Sequence, residues 1–399
     1  MDKLIPILLV IFVFDLKAQK EIRNFIFGHS LIHHEVQVNI TPSQETSVPH
    51  WLHFLAEESG HQYAVSGQYG FLPQHANLPP LAQWGFDFVE AAWDSDNESF
   101  SEADFNAILI TPGNFIQWQG PNENYFGDDI SPIDATLDVF EWCNEQEEGL
   151  NFYIYENWPD MAPYLSNGFP PSETEWNAYL GYLNGDFHDW FLEYFNAVET
   201  SFPNSCVRMI PVGPLINNLM KEEPFNQIPI DELYEDDAPH GRASIYFLVS
   251  IVTYMAMYEE NPPADYAVDE IIHPTIRDNY SIILSYFREQ LDAFNDPQGN
   301  SQVFCNDIIA KTTPNEMASD ELHVYPNPTH RYLYLDKINE HCMLNLYDLY
   351  GKLVFSQLLF RSEEQTVDLV NVENGIYQMV LYDLKNQILN SKRIIKFED

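Results

Sequence analysis

The sequence predicts an α/β fold, a three-layer doubly wound parallel sheet, followed by a small all-β sandwich. Two patterns carry this prediction. In residues 25–294, short apolar runs alternate with helix-like segments, which is typical of a parallel sheet covered by helices on both faces. In residues 332–395, closely spaced short runs with turn residues between them are typical of an antiparallel sandwich.

The first domain is expected to contain five strands and at least five helices in alternation. The apolar runs that predict strands are residues 25–28, 62–66, 107–111, 152–155 and 207–212. The segments that predict helices, from their length and apolar spacing, are 49–58, 132–144, 174–199, 242–258 and 280–294. The carboxyl ends of such strands meet at one edge of the sheet, where open α/β domains hold their active sites.

The C-terminal part is a separate domain in this interpretation. Residues 306–322 are polar and weakly patterned, so they are expected to form a linker between a domain at 19–305 and a domain at 323–399. The strands predicted for the second domain are 332–335, 343–347, 353–359, 375–382 and 388–395.

The N-terminus has the features of a signal peptide at residues 1–18. Lys3 precedes an apolar run at 4–14, and Ala18 supplies a small residue for cleavage. The run is short for a bilayer span, and no later segment is long, apolar and uncharged. We therefore expect an exported, soluble protein, secreted or held at the cell surface, without a membrane span.

The charge is strongly negative and unevenly distributed. The formal net charge is −43. From residue 323 onward there are 8 basic and 10 acidic residues, a balance of −2, which leaves 10 basic against 51 acidic, or −41, for the rest. No lysine or arginine lies between Arg23 and Arg208, so nothing there neutralises phosphates, and nucleic acid is excluded as a partner. Solubility explains this charge better than recruitment of a cationic partner.

Four cysteines remain after removal of a signal peptide: Cys143, Cys206, Cys305 and Cys342. An exported protein could pair them in three ways, among which a bridge between Cys143 and Cys206 is one candidate. Their wide spacing does not match a metal-binding knuckle, and neither a metal nor a cofactor is expected.

Ser30, Asp237 and His240 are the candidate catalytic residues. Ser30 follows the first predicted strand, and the segment Asp-Ala-Pro-His at 237–240 precedes a long apolar helix. A serine hydroxyl needs a base to take its proton, and a carboxylate orients that base and stabilises its charged form. Taken singly, Ser30 and Asp237 could instead be helix caps.

The first domain resembles the SGNH, or GDSL-like, hydrolase family over about residues 24–260. Gly-His-Ser-Leu at 28–31 matches the block that contains the nucleophile, although His29 replaces the usual aspartate, and the segment 237–240 matches the block that contains the aspartate and the histidine base. Asp236 lies one residue away from that spacing.

The resemblance also implies an oxyanion hole built from the backbone of Ser30, the backbone of Gly70 and the side chain of Asn114. Gly70 follows the second strand, with Gly67 as the reserve, and Asn114 follows the third. Asn157, after the fourth strand, is a competitor that comes one strand later than the family pattern. Each donor would stabilise the tetrahedral oxyanion by about 3 kcal/mol.

The second domain resembles the C-terminal sorting domain of the type IX secretion system of Bacteroidetes. The resemblance is carried by Tyr-Pro-Asn-Pro at 325–328, Leu-Tyr-Asp-Leu-Tyr-Gly-Lys at 346–352, Asn-Gly-Ile-Tyr at 374–377 and the basic segment 392–396. It implies export across the outer membrane through the type IX machinery. A carbohydrate-binding sandwich is the alternative.

The histidines and the tryptophans are weaker signals. His29, His33 and His34 cluster near Ser30, and a structural role or a substrate contact is favoured over a metal site because no metal-binding motif accompanies them. Trp118 and Trp158 follow strands where a site would lie, so they could stack on sugar rings, although burial in the core is favoured.

Together these features predict a secreted serine esterase that hydrolyses carboxylic esters through an acyl-enzyme. Acetyl esters on a polysaccharide are the leading candidates for its substrate. The alternative is a catalytically inactive carbohydrate-binding protein that keeps the SGNH fold.

Overall fold

The structure is a computed structural model that describes two separate units of the chain. In the first unit it describes residues 19–34, 43–113, 115, 117–203 and 205–305. In the second it describes residues 324–327, 329–338, 341–347, 352–359, 362–370, 372–383 and 388–397. The chain divides into these units after Thr312. The predicted signal peptide (1–18), the linker (306–322) and Asn114 lie outside the described residues.

The first unit contains a six-stranded parallel sheet, as the strand pattern predicts. Its strands are β1 (Glu21–Gly28), β2 (Gln62–Tyr69), β3 (Glu90–Ala91), β4 (Ala107–Ile110), β5 (Asn151–Tyr155) and β6 (Cys206–Ile210). Their spatial order is β3-β2-β1-β4-β5-β6. The chain builds outward from β1 to β3 on one side and then returns to add β4 on the other. The carboxyl end of β1 is therefore the switch point, where open α/β sheets form their binding crevice.

Helices cover both faces of the sheet. The helices of the first unit are α1 (Val48–Glu58), α2 (Leu72–His75), α3 (Pro132–Gln146), α4 (Glu173–Tyr182), α5 (His188–Ser201), α6 (Val212–Leu219), α7 (Ile230–Leu233), α8 (Ala243–Tyr258), α9 (Pro274–Asp278) and α10 (Tyr280–Ala293). The side chains of Ser47 and Ser131 cap α1 and α3, and a proline occupies the first turn of each, which defines where these helices begin.

Strand alternation sends side chains of β1 into two different cores. Ile22 and Ile26 join the core formed with α1, α6, α8 and α10, whereas Phe25 and Phe27 join the core formed with α3 and α5. Every residue of α8 is buried, because this helix lies between the sheet and other helices. Its uniformly apolar sequence is explained by burial on all sides rather than on one stripe.

Several elements of the first unit differ in detail from the prediction. The helix predicted at 174–199 is divided into α4 and α5 by a wider π-type turn at Leu183–Phe187, where Gly185 has non-helical backbone angles. The strand predicted at 207–212 ends at Ile210, because Val212 begins α6. The edge strand β3 was not predicted, since two exposed residues carry no alternation signal.

Cys206 and Cys305 form a disulfide across 99 residues of sequence. The bridge attaches the segment after α10 to the start of β6, and Cys143 is instead a buried free thiol on α3. The candidate pairing of Cys143 with Cys206 is therefore wrong. The sequence could not decide between the pairings, because they depend on which strand the end of the domain returns to. A disulfide agrees with an exported protein.

The second unit consists of small antiparallel sheets, as predicted. One sheet has the order β10-β9-β12-β13 and the other β11-β8-β7. Their strands are β7 (Val324–Tyr325), β8 (Tyr332–Ile338), β9 (Cys342–Tyr347), β10 (Leu353–Leu359), β11 (Ser362–Asp368), β12 (Gly375–Asp383) and β13 (Ile388–Lys396). Leu333, Leu344 and Leu381 lie in the core that the two sheets share. β7 and β11 were not predicted.

Within the described residues, every helix is too short or too polar to span a bilayer.

Candidate active site

Ser30 lies immediately beyond the carboxyl end of β1. The chain turns there, since the Ile32 N–H donates to the His29 carbonyl at 2.9 Å. The hydroxyl of Tyr246, on α8, donates to the Ser30 carbonyl at 2.6 Å. The backbone of Ser30 is therefore held by the strand before it and by the buried helix behind it.

The side chains of Ser30, His240 and Asp236 form a continuous chain of polar contacts. Ser30 Oγ lies 2.9 Å from His240 Nε2, and His240 Nδ1 lies 2.8 Å from Asp236 Oδ2. Both distances are suitable for hydrogen bonds. With the proton of the neutral imidazole on Nδ1, Nε2 can accept the serine proton, which is the arrangement that a nucleophilic serine requires.

Asp236 is held in place by its own loop. Its Oδ1 accepts the backbone N–H groups of Ala238 and His240, each at 3.1 Å. Partial burial alone would raise the pKa of this carboxyl, but the hydrogen bonds from the side chain and backbone of His240 lower it below its ordinary value. The carboxylate therefore stays charged and can stabilise an imidazolium on His240.

The carboxylate that contacts the His240 ring is Asp236 and not the predicted Asp237. The prediction assumed one helical turn between Asp237 and His240, but residues 234–241 form a closed loop in which the Glu235 N–H donates to the His240 carbonyl at 2.8 Å and Tyr234 bridges to Gly241. In that loop the residue four positions before His240 lies against its ring. The Asp237 carbonyl instead accepts the N–H of Met161 at 2.9 Å.

Gly70 cannot supply the predicted oxyanion donor in this structure, because its N–H donates to the Gly28 carbonyl at 2.9 Å. The reserve, Gly67, has a packing role: a Cβ there would come within 2.4 Å of the Trp84 ring. The Ser30 backbone donor stays a prediction, and Asn114 lies outside the described residues. The sequence could not separate a glycine needed for close packing from one that binds an oxyanion.

Asn157 has a structural role as well. It is fully buried, and its Nδ2 donates to the Pro112 carbonyl at 2.7 Å and to Thr111 Oγ1 at 2.9 Å. Its amide thus joins the loop after β5 to the loop after β4. As a competitor for the oxyanion site it is occupied by these contacts.

His29, the residue next to Ser30, binds the same loop. Its Nε2 lies 3.0 Å from the Pro112 carbonyl, and its Nδ1 accepts the Leu31 N–H at 3.3 Å. The carbonyl requires a proton on Nε2, and Nδ1 must be unprotonated to accept the N–H, so the ring is neutral. Burial lowers the pKa of His29 to about 4, opposed by the hydrogen bond to Pro112. The expected structural role fits this geometry, and the described residues contain no cluster suited to a metal ion.

A cleft of about 510 Å³ opens at Ser30. It is lined by Ser30, His33, His34, Tyr69, Gln83, Trp84 and Gly85. No lysine or arginine is among these residues. Tyr69 is half-exposed, and Gln83 Oε1 accepts the Tyr69 N–H at 2.9 Å, which fixes the amide in the wall. The described lining of the cleft is therefore uncharged apart from its histidines and is rich in aromatic rings.

The two tryptophans singled out in the sequence do not line this cleft. Trp158 is buried, and its indole N–H donates to the Pro239 carbonyl at 2.8 Å, which holds the loop that carries His240. Trp118 is exposed. The sequence missed Trp84 and Tyr246, whose contacts arise from distant segments. His34 was noted only as part of a histidine cluster, yet its ring stacks on His240 at 3.8 Å.

Residues 323–396 match the family described as the secretion system C-terminal sorting domain. The C-terminal domain is a type IX sorting domain. It marks the protein for export to the cell surface or the extracellular space through the type IX machinery, and it indicates an origin in the Bacteroidetes. No curated protein matches the sequence.

Solved structures give only distant similarity. A DUF4886 family protein from Bacteroides uniformis aligns with 12% identity and a TM-score of 0.40, over 71% of this chain and 98% of that one. PorZ, a surface component of the type IX secretion system of Porphyromonas gingivalis, aligns with 19% identity and a TM-score of 0.18, over 20% of this chain and 12% of PorZ. An immunoglobulin-like DUF3244 protein from Bacteroides vulgatus aligns with 15% identity and a TM-score of 0.16, over 19% of this chain and 95% of that one.

We predict that acid destabilises the first unit through His29. The pKa of His29 is lower in the fold than its ordinary value of 6.5, so the unfolded chain binds the proton more readily. This contribution is fully present above pH 6.5 and is lost as the pH falls to about 4. It amounts to about 3 kcal/mol at about 1.4 kcal/mol per pH unit.

The measurement is denaturant unfolding of the wild type and of His29→Gln between pH 7 and pH 4. The variant should be less stable at pH 7 and should lose less unfolding free energy on acidification. Parallel pH dependences of the two proteins would show that His29 does not carry the effect. His50, whose pKa burial also lowers to about 4, contributes to the pH dependence of both proteins.

Proposed function

We propose that the first unit is a serine esterase of SGNH type, which type IX export delivers to the cell surface or the medium. The observation that carries the proposal is the contact of Ser30 Oγ with His240 Nε2, in line with the contact of His240 Nδ1 with Asp236. A helix cap would need the Ser30 hydroxyl at a backbone N–H, whereas this hydroxyl faces an oriented imidazole.

Acyl transfer follows directly from this arrangement. Ser30 Oγ attacks the ester carbonyl carbon while its proton passes to His240 Nε2, and Asp236 stabilises the imidazolium that forms. The tetrahedral intermediate collapses, the carbon–oxygen bond to the alcohol breaks, and the proton on Nε2 passes to the departing alkoxide. A water molecule then attacks the acyl-enzyme and gives its proton to His240. The carboxylic acid leaves and the Ser30 hydroxyl is restored.

Acetyl esters on a neutral polysaccharide are the substrate we propose. The cleft at Ser30 offers the rings of Tyr69 and Trp84 for contact with a sugar, and its lining residues carry no basic group for an anionic one. Since no lysine or arginine occurs between Arg23 and Arg208, the strands and loops around the cleft from this part of the chain share that property. Acidic polymers would also be repelled by the net charge of −43.

A fluorophosphonate probe should label the wild-type protein covalently, and Ser30→Ala should abolish the labelling. The probe reacts only with a serine whose proton is taken by a base, so it distinguishes an esterase from an inactive carbohydrate-binding protein. Intact-protein mass spectrometry gives the readout. Folding of Ser30→Ala is checked by circular dichroism. An unlabelled wild type would favour the binding protein.

Replacement of Asp236 should slow probe labelling, whereas replacement of the adjacent Asp237 should have little effect. Asp236→Asn should lower the rate of probe labelling at least about 100-fold, because an amide cannot stabilise the imidazolium and favours the wrong tautomer. Asp237→Asn is the matched control, and its labelling rate should stay within about threefold of that of the wild type. Asp237 binds Met161 and Ala162 through its backbone carbonyl, which the substitution keeps. A larger loss in Asp237→Asn than in Asp236→Asn would contradict this assignment.

Acetate release from acetylated xylan should exceed release from acetylated pectin or alginate, and lipid esters should be poor substrates. Tyr69→Ala should raise KM for acetylated xylan about tenfold, the effect of losing one ring contact, while activity on 4-nitrophenyl acetate changes little. Phe126, which is exposed and does not line the cleft, gives the control variant Phe126→Ala. Activity on lipid esters without acetate release from any polysaccharide would overturn the substrate assignment.

A further inference from the structure

The ring of His34 lies flat against the ring of His240. The two ring centroids are 3.8 Å apart and the planes differ by 7°. His34 is nearly buried, and it lines the same cleft as Ser30. The face of the proposed base that His34 covers is therefore closed to water, and rotation of the imidazole away from Ser30 is blocked on that side.

The position of His34 is built into the fold. Its N–H donates to the Thr46 carbonyl at 3.0 Å, and the Thr46 hydroxyl donates to the His34 carbonyl. The adjacent residues His33 and Ser47 form an antiparallel bridge. Two-sided pairing of the backbone holds the ring over His240, so the stack does not depend on a flexible surface side chain.

Glu235 completes the arrangement on the far side of His34. Its Oε2 lies 3.4 Å from His34 Nε2, and its side chain is buried. The Glu235 N–H donates to the His240 carbonyl at 2.8 Å, so one residue contacts both members of the stack. Asp236, which contacts His240 Nδ1, also acts on the pair through its charge. Asp160 and His29 are the other titratable groups whose charge interacts with that of His240.

Charge on the stack is limited to one ring. Burial lowers the pKa of His34, and the positive charge of a protonated His240 lowers it further, against the opposing effect of Glu235 and Asp236. Two imidazolium rings at stacking distance repel each other strongly in a partly buried site. His34 is therefore neutral when His240 takes the proton of Ser30, and its π face supports that charge.

We infer that His34 and Glu235 are positioning residues for the base: His34 holds His240 against Ser30 by stacking, and Glu235 sets the electrostatic balance of the stacked pair. This inference rests on the proposed esterase function. It adds to the Ser30, His240 and Asp236 relay a pair that acts through the base. The stack acts on the rate and pH dependence of proton transfer rather than on substrate binding.

The test compares His34→Ala, His34→Phe and Glu235→Gln in the full chain, with 4-nitrophenyl acetate as the substrate. His34→Ala removes the stack and should lower kcat about tenfold with KM within about twofold, because misplacement of a base affects the chemical step. His34→Phe keeps a flat ring and should retain kcat within about threefold of the wild type. Thermal unfolding confirms that each variant is folded.

If His34 only stabilised the fold, its replacement would leave the pH profile of kcat/KM unchanged. This profile is therefore the second measurement. In His34→Phe, Glu235 no longer has an imidazole beside it and its negative charge acts on His240 alone, so the acidic limb should move to higher pH by about half a unit. Glu235→Gln removes a negative charge that favours the imidazolium, so the limb should move to lower pH. His53→Ala is the control, since His53 on α1 also faces a glutamate, Glu57 at 3.9 Å, but has no recorded stack with His240.

Opposite shifts, with kcat recovered in His34→Phe, would support the inference. Two results would overturn the inference: an unchanged kcat in His34→Ala, or acidic limbs of the pH profiles that do not move in opposite directions in His34→Phe and Glu235→Gln. If the wild type still hydrolyses ester, the proposed esterase function would not be affected by either result. A wild type that neither hydrolyses ester nor reacts with the fluorophosphonate would overturn the proposed function, and this inference with it.

Discussion

The fully buried helix α8 is the constraint on which the rest of the site depends. Ser30 and His240 are 210 positions apart in the sequence, and their contact requires both segments to pack against this helix. Tyr246, one turn into α8, anchors the Ser30 carbonyl, and the loop that carries His240 leads directly into the helix. Burial of an entire apolar helix is a strong driving force, since each large apolar side chain contributes about 1.5–3 kcal/mol when fully buried. The packing of α8 in the core therefore fixes the relative positions of Ser30 and His240.

Several side chains that a sequence motif would assign to catalysis instead hold neighbouring loops in place. His29 and Asn157 both bind the Pro112 carbonyl, and Trp158 holds the carbonyl of Pro239. These three contacts fix the loops after β4 and β5 and the loop before α8 relative to one another. His29 therefore keeps a polar link in place with a neutral ring. A buried imidazole serves this purpose because one nitrogen donates while the other accepts.

The two units serve separate ends. The sorting domain addresses the protein to the type IX machinery, whereas the polar relay lies wholly within the first unit. Export also explains the Cys206–Cys305 bridge, which suits an oxidising environment. An esterase delivered outside the cell would meet polymers that cannot enter it. The described lining of the cleft at Ser30, which has aromatic rings and no lysine or arginine, agrees with such a substrate, and solubility is the expected effect of the strongly acidic composition.

The sequence by itself determined the α/β class, the five main strands and the sorting domain, and it singled out Ser30 and His240 as candidate site residues. These follow from local signals: apolar runs of strand length, helical spacing, and short blocks in a fixed order. Tertiary structure alone decided that Asp236 rather than Asp237 contacts His240, because the closed loop at 234–241 replaces the helical turn that a three-residue spacing suggests. It also decided that the Gly70 N–H binds Gly28, that Cys206 pairs with Cys305, and that His34 stacks on His240. Each of these depends on which distant backbone or ring occupies the neighbouring space, and no spacing within the sequence records that.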